Sequence, residues 1–195
     1  MPLNSEVLSE IQTLVHGGFE KRDRIIEIVC EELYEPGDLD SIEVESAVDD
    51  ALIALEKAQA DWPAITDCDK LDHAFSALEK LGIIALQNAG NTQSDGYEDV
   101  QAACADRKAT SSIGGYCFYH GQDLDRAVNG GGLYLAFGPI DPEKEESEGP
   151  GVGATVVAEL ARAGLATQWD GSFNKRILVP AIDWKRRRHG RRKSW

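Results

Sequence analysis

No apolar run in this chain of 195 residues approaches the ~20 residues needed to cross a bilayer as a helix, so membrane insertion by that route is not expected. Residues Met1–Val15 lack the basic start and apolar block of a secretion signal, and a cytoplasmic location is expected. Cysteine is scarce. Cys30, Cys68, Cys104 and Cys117 stand far apart and form no CxxC pair, which points to reduced structural thiols rather than disulfides or zinc ligation. Nothing matches GxSxG, HxH or HExxH, and no cysteine has an adjacent histidine to activate it. Local spacing therefore enforces no nucleophile elbow and no metal box, and neither a metal nor a cofactor is expected.

Bases are the other shortage. The chain has 20 Lys and Arg against 34 Asp and Glu, and seven of the bases crowd into Lys185–Trp195, which holds no acid. Residues 1–184 are left with 13 bases against 34 acids, a net of −21. Such a body repels nucleic acid and anionic membranes and attracts a basic protein partner. The tail does the reverse. Arg186, Arg187, Arg188, Arg191 and Arg192 suffice for weak contact with nucleic acid or another anionic surface, with Trp184 and Trp195 available to stack. A disordered end that solvates itself or folds back on the acidic body is the alternative.

What is present is an alternation of helical and strand patterns. Ser5–His16, Arg24–Leu33 and Ser41–Ala60 carry apolar residues at helical spacing, with stripes Val7, Leu8, Ile11, Leu14, Val15; Ile25, Ile28, Val29, Leu33; and Val44, Val48, Ala51, Leu52, Leu55. Glycine pairs and Pro-Gly break them, so residues 1–62 read as a helical module. Residues 63–184 read as an α/β domain, with α+β as the alternative, and 185–195 as a basic tail. In that domain a helix with stripe Leu71, Phe75, Leu78, Leu81 leads to a strand at Ile83–Asn88, and a polar loop opens a helix at about Asp95–Ala105. Tyr116–His120 is strand-like, Asp123 is a plausible N-cap for a short helix, Gly130–Gly132 stops that helix, and Leu133–Phe137 is apolar on both faces. We read this strand, helix and strand as a right-handed parallel crossover. The Glu-rich stretch Gly138–Gly153, with GPGVG at its end, reads as a flexible loop before a helix at Ala154–Ala163. Leu165–Trp169 and Arg176–Val179 read as hairpin arms around Asp170-Gly171. The expected fold is a mixed, mainly parallel sheet of about five strands with packed helices.

Parallel strands would bring their carboxyl ends to one rim, gathering Asn88 and its loop, His120, Asp123 and also Asp170. In that loop Asn88, Asn91, Thr92, Gln93, Ser94 and Tyr97 supply donors and acceptors where a strand hands over to a helix, a place suited to a carboxylate or phosphate. The simpler account is that Ser94 or Asp95 caps the helix while Asn91 and Gly96 serve the turn. His120, with Asp123 and Asp95 as possible neighbours, is the candidate for acid-base work; a lone histidine more often makes a structural hydrogen bond.

The segments NAGNTQSDGYEDV (Asn88–Val100), GYCFYHGQDLDRAV (Gly115–Val128), GGGLYLAFGPID (Gly130–Asp141) and WDGSFNKRILVP (Trp169–Pro180) resemble the motifs of an uncharacterised bacterial family of domains of unknown function. The resemblance covers roughly Ile65–Trp184 and implies common ancestry there. It brings no activity, and it leaves the amino-terminal helices and the tail outside. The expectation is a non-enzymatic regulatory or protein-binding domain with an acidic surface; the alternative is a small hydrolase or ligand-binding enzyme using the rim around His120.

Overall fold

The computed structural model describes residues 3–106 and 114–187. The chain forms two compact units, one made by residues 3–66 with 184–187 and the other by Asp67–Asp183.

The first unit is helical. Its helices are α1 (Ser5–Gly17), α2 (Arg22–Glu27), which continues as a π-helical segment at Ile28–Leu33, and α3 (Ser41–Gln59). Asn4 starts α1 by accepting from the Glu6 and Val7 amides at 3.0 and 2.9 Å. Val7, Ile11, Val15, Ile25, Val29, Val44, Val48 and Leu55 form the core. Leu8 and Leu33 were expected inward but are 40% and 47% exposed. The wider π turn after Ile28 accounts for Leu33, because it rotates the end of the segment out of α-helical phase. Arg22 ties α2 to α3 through a two-pronged contact with Asp49, Nε to Oδ1 at 2.6 Å and Nη2 to Oδ2 at 2.8 Å.

Residues 184–187 belong to this unit. Trp184 Nε1 donates to the Gly17 carbonyl at 3.4 Å, and Arg187 donates to the Pro63 carbonyl at 2.6 Å. The Arg186 guanidinium lies 4.6 Å from the Phe19 ring centre and 5.5 Å from that of Trp184, while Arg187 lies 5.8 Å from Trp62. Arg188, Arg191 and Arg192 lie outside the described residues.

The second unit is α/β. Its elements are α4 (Asp67–Lys80), β1 (Ile83–Leu86), α5 (Gln93–Asp106), β2 (Gly115–Phe118), α6 (Gly121–Val128), β3 (Leu133–Gly138), α7 (Glu145–Arg162) and β4 (Ile177–Val179). The sheet is mixed, in the order β1-β2-β3-β4. It has four strands, because Leu165–Trp169 contributes only the antiparallel bridge Gln168↔Leu178. On one face Ile84, Tyr116, Phe118 and Ala136 pack with Val100 of α5. α4 and α7 pack against each other and against β1 and β3.

Parallel pairing is confined to β1 and β2, so the sheet is not mainly parallel. β3 runs antiparallel to β2, with Tyr116 opposite Gly138 and Phe118 opposite Ala136. The expected parallel crossover is thus a wide antiparallel connection. The first-turn amides of α6 are bound to the Gly90 and Asn91 carbonyls, which holds that helix at the end of the sheet. Gly130 and Gly132, at φ 77° and 78°, then turn the chain back into β3. An apolar pattern on both faces marks an interior strand and carries no information about its direction.

The stretch expected as a flexible loop is mostly helix: α7 starts at Glu145 and takes in GPGVG, with Pro150 inside it. Gly149 and Gly153 lie one turn apart on the helix face that meets the aromatic cluster of Phe137, Trp169 and Phe173. A Cβ on Gly149 would sit 2.5 Å from Phe173 Cδ2, and one on Gly153 would sit 2.6 Å from Trp169 Cζ2. These glycines admit rings to the helix backbone, and that packing outweighs their low helix propensity.

Candidate functional site

The loops that follow β1 and β2 meet at one end of the sheet. Asn88 and Gly90 have φ of 53° and 57°, and their turns bring the loop alongside residues 119–122. Ala89 N donates to Tyr119 O at 2.9 Å, Gly121 N to Gly90 O at 2.9 Å and Gln122 N to Asn91 O at 3.2 Å, extending the contact beyond the paired strands. Gly121 suits this approach, since a Cβ there would lie 2.8 Å from Asn91 Oδ1. The loop after β1 and His120 therefore do share a rim.

Most of the polar loop serves the start of α5. Asp95 Oδ2 accepts from the Thr92 amide at 2.8 Å and the Asn91 amide at 3.1 Å, while Thr92 Oγ1 accepts from the Asp95 amide at 3.4 Å. This is a reciprocal capping box. The hydrogen bonds from Thr92, backbone first and side chain second, hold the Asp95 carboxyl below its usual range. A carboxylate of the chain itself thus fills the position where an anion would bind. Gln93 Nε2 donates to Tyr97 OH at 3.0 Å, and the Tyr97 ring stands edge-on to Tyr116 and Phe118, at 5.7 and 5.2 Å. Ser94 is exposed on the first turn. Asn88 lines a hollow of about 480 Å³ beside β1 and α5, bordered also by Leu86, Asp99 and Asp106; Gln93, Asp95, His120 and Asp123 are not among its walls.

His120 is the N-cap residue of α6, and Asp123, expected at the cap, lies in the first turn. The two are 4% and 3% exposed. His120 Nε2 is 3.0 Å from Asp123 Oδ2. Arg176, just before β4, donates through Nη1 to both Asp123 oxygens at 3.0 and 2.8 Å and stands 3.4 Å from the same ring nitrogen. The Arg176 guanidinium also lies 4.9 Å from the Tyr134 ring centre, with Arg126 5.1 Å from that ring. Burial lowers the imidazole pKa below its usual value; Asp123 opposes that shift, Arg176 adds to it, and Asp95 opposes it more weakly. The ring is neutral near pH 7; its Nδ1 is buried, and the Asn91 backbone also opposes the downward shift. The sequence motifs contained all four residues, His120, Asp123, Tyr134 and Arg176, but gave no sign that Arg176 meets Asp123, because that contact spans 53 residues of chain.

This constellation can fasten α6 to the strand region around β4. For proton transfer it would need a ring nitrogen facing substrate, but Nε2 faces Asp123 and Nδ1 is buried. Asp170 does not join the rim. Phe173, from the same loop, packs beside Gly138 at the far end of β3. There Asp170 accepts from the Ser172 amide and hydroxyl at 2.9 and 2.7 Å, and with Lys175 nearby these bonds hold its pKa at about 2. Among the described residues no group of three or more His, Cys, Asp and Glu side chains could hold a metal ion. Cys68 and Cys117 are buried, and burial pushes the Cys117 thiol far up.

No curated protein and no solved structure matches the chain. A family model does match, over residues 2–188, reaching well beyond the expected Ile65–Trp184 to take in the whole of α1, α2 and α3. The chain belongs to that family, described as a domain of unknown function, DUF6891.

Proposed function

We propose that the chain is a non-enzymatic regulatory or protein-binding protein of the cytoplasm, which meets a basic partner through an acidic surface. The observation that carries this reading is the outer face of α3. Ile42 and Ile53, 75% and 50% exposed, lie three helical turns apart on one stripe, flanked by exposed Glu45, Asp50 and Glu56. Residues 1–66 hold 16 Asp and Glu against four Lys and Arg, so the field around that face is strongly negative. Apolar anchors set among charges of one sign suit an opposite-charge partner, since the charges speed and orient the encounter and the anchors slow its reversal.

The enzyme reading draws on the His120–Asp123 pair, whose 3.0 Å contact resembles a base and its orienting carboxylate. Arg176 on the same carboxylate and the burial of the ring favour a fastening role instead. For the tail, the stacking of Arg186 and Arg187 on aromatic rings likewise favours a role within the fold over contact with nucleic acid.

Affinity capture from cytoplasmic extract at moderate salt, comparing the native chain with the double variants I42S/I53S and D50K/E56K, tests the proposal. A stoichiometric basic protein retained by the native chain and lost from both variants supports it. Equal retention by all three, or no retained partner, overturns it.

A further inference from the structure

We propose that the outer edge of β1 is a docking site for an extended basic segment of the partner, which pairs there as a fifth strand. This inference rests on the reading of a basic partner and adds where and in what conformation a part of that partner binds.

The sheet has two outer edges, and they are treated differently. At β4, Gln168 exchanges two hydrogen bonds with Leu178, at 2.8 and 3.0 Å, and covers the outer side. At β1, the described residues supply a strand neighbour only on the β2 side. The carbonyls of Gly82 and Leu86 accept from the Gly114 and Tyr119 amides, so even-numbered positions turn their backbone groups toward β2. Odd-numbered positions turn outward. Ala85 shows this directly: its amide donates to Glu79 Oε1 at 2.6 Å. A carboxylate therefore holds the donor that an added strand would use.

Beside this edge lies the hollow of about 480 Å³, with Ala85 and Leu86 on the strand side and Ala103, Asp99 and Asp106 of α5 across from them. Asp99 and Asp106 are exposed. Short edge strands guarded by charge resist pairing with chance neighbours. Here the guards are all carboxylates, Glu79, Asp99 and Asp106, which repel an acidic strand and attract a cationic one. A segment with Lys or Arg at alternate positions would place cations toward Asp99 and Asp106 and draw Glu79 from the Ala85 amide. Backbone pairing would then supply affinity, and the alternating cations would supply selectivity.

The test uses the full chain and two synthetic probes, a peptide of about ten residues alternating Lys and Val and the same peptide with its two central valines replaced by Pro, which cannot pair. Affinity is read by fluorescence anisotropy at about 150 mM salt, and pairing by hydrogen exchange at the Ala85 amide. The expected results are binding of the alternating peptide at least about tenfold tighter than the Pro peptide, about tenfold weaker binding to D99K/D106K, and slowed exchange at Ala85. Equal affinity for the two peptides, affinity unchanged in D99K/D106K, or no binding up to about 1 mM would overturn the docking site. None of these outcomes touches the acidic-partner reading, which stands or falls with the α3 variants.

Discussion

Asp123 is the residue on which the rim depends. Its carboxylate is buried, faces the His120 ring and accepts two hydrogen bonds from Arg176. Replacing it by Asn leaves the guanidinium without its counter-charge, and we expect D123N to lose about 3 kcal/mol in urea unfolding. H120Q removes one contact and should cost about 1 kcal/mol. The imidazole also makes stability depend on pH. Its folded pKa is lowered from 6.5 mainly by burial, so below pH 6.5 the unfolded chain binds the proton that the folded chain refuses. The urea midpoint should therefore fall on acidification below pH 6.5 and level off once the folded ring protonates. His16 is shifted the same way by burial and adds a slope of the same sign. H120Q and H16Q should each flatten part of the curve; an unchanged slope in H120Q would contradict the burial of a neutral ring. His120 and Asp123 could be picked out in the sequence, three positions apart at a helix start. Arg176 stood in a quoted motif, but its link to Asp123 could not be read, since nothing local to it records a partner so far along the chain.

Among the elements, α7 shows where sequence patterns lose to packing. Gly and Pro ordinarily break helices, and GPGVG was expected in a loop, yet the cluster of Phe137, Trp169 and Phe173 needs helix backbone without side chains at Gly149 and Gly153. Alanine would raise helix propensity by about 1 kcal/mol in an exposed helix. Here the added methyl meets the Trp169 ring, and we expect G153A to be destabilised by about 1–3 kcal/mol in thermal or urea unfolding. A more stable G153A would contradict the packing. Helix stripes such as Leu71, Phe75 and Leu78, and the interior position of β3, were legible because burial leaves a periodic trace. The direction of β3 left none. It follows from the anchoring of α6 by the Gly90 and Asn91 carbonyls, contacts that involve backbone atoms and so no particular side chain. The shared rim of the Asn88 loop and His120 was legible for the opposite reason, since it needs only the one parallel pair, β1 and β2.

For the whole molecule, charge dominates. A net of −14 makes the folded chain repel itself, and screening should relieve that repulsion. Raising salt from about 20 to 500 mM should increase the melting temperature, whereas a decrease would mean that local ion pairs such as Arg22–Asp49 outweigh the net charge. The contacts of Arg186 and Arg187 with Phe19, Trp184 and Trp62 work within this background. R186A/R187A should lose about 1–2 kcal/mol, seen as faster hydrogen exchange in α1 and α3 with the β-sheet amides unchanged. The central claim is that the acidic, isoleucine-bearing face of α3 receives a basic protein. Quantitative capture by the native chain beside I42S/I53S and D50K/E56K tests it most directly. The account predicts one basic protein retained in stoichiometric amount by the native chain and absent from both variants; retention that is indifferent to these four residues would contradict it.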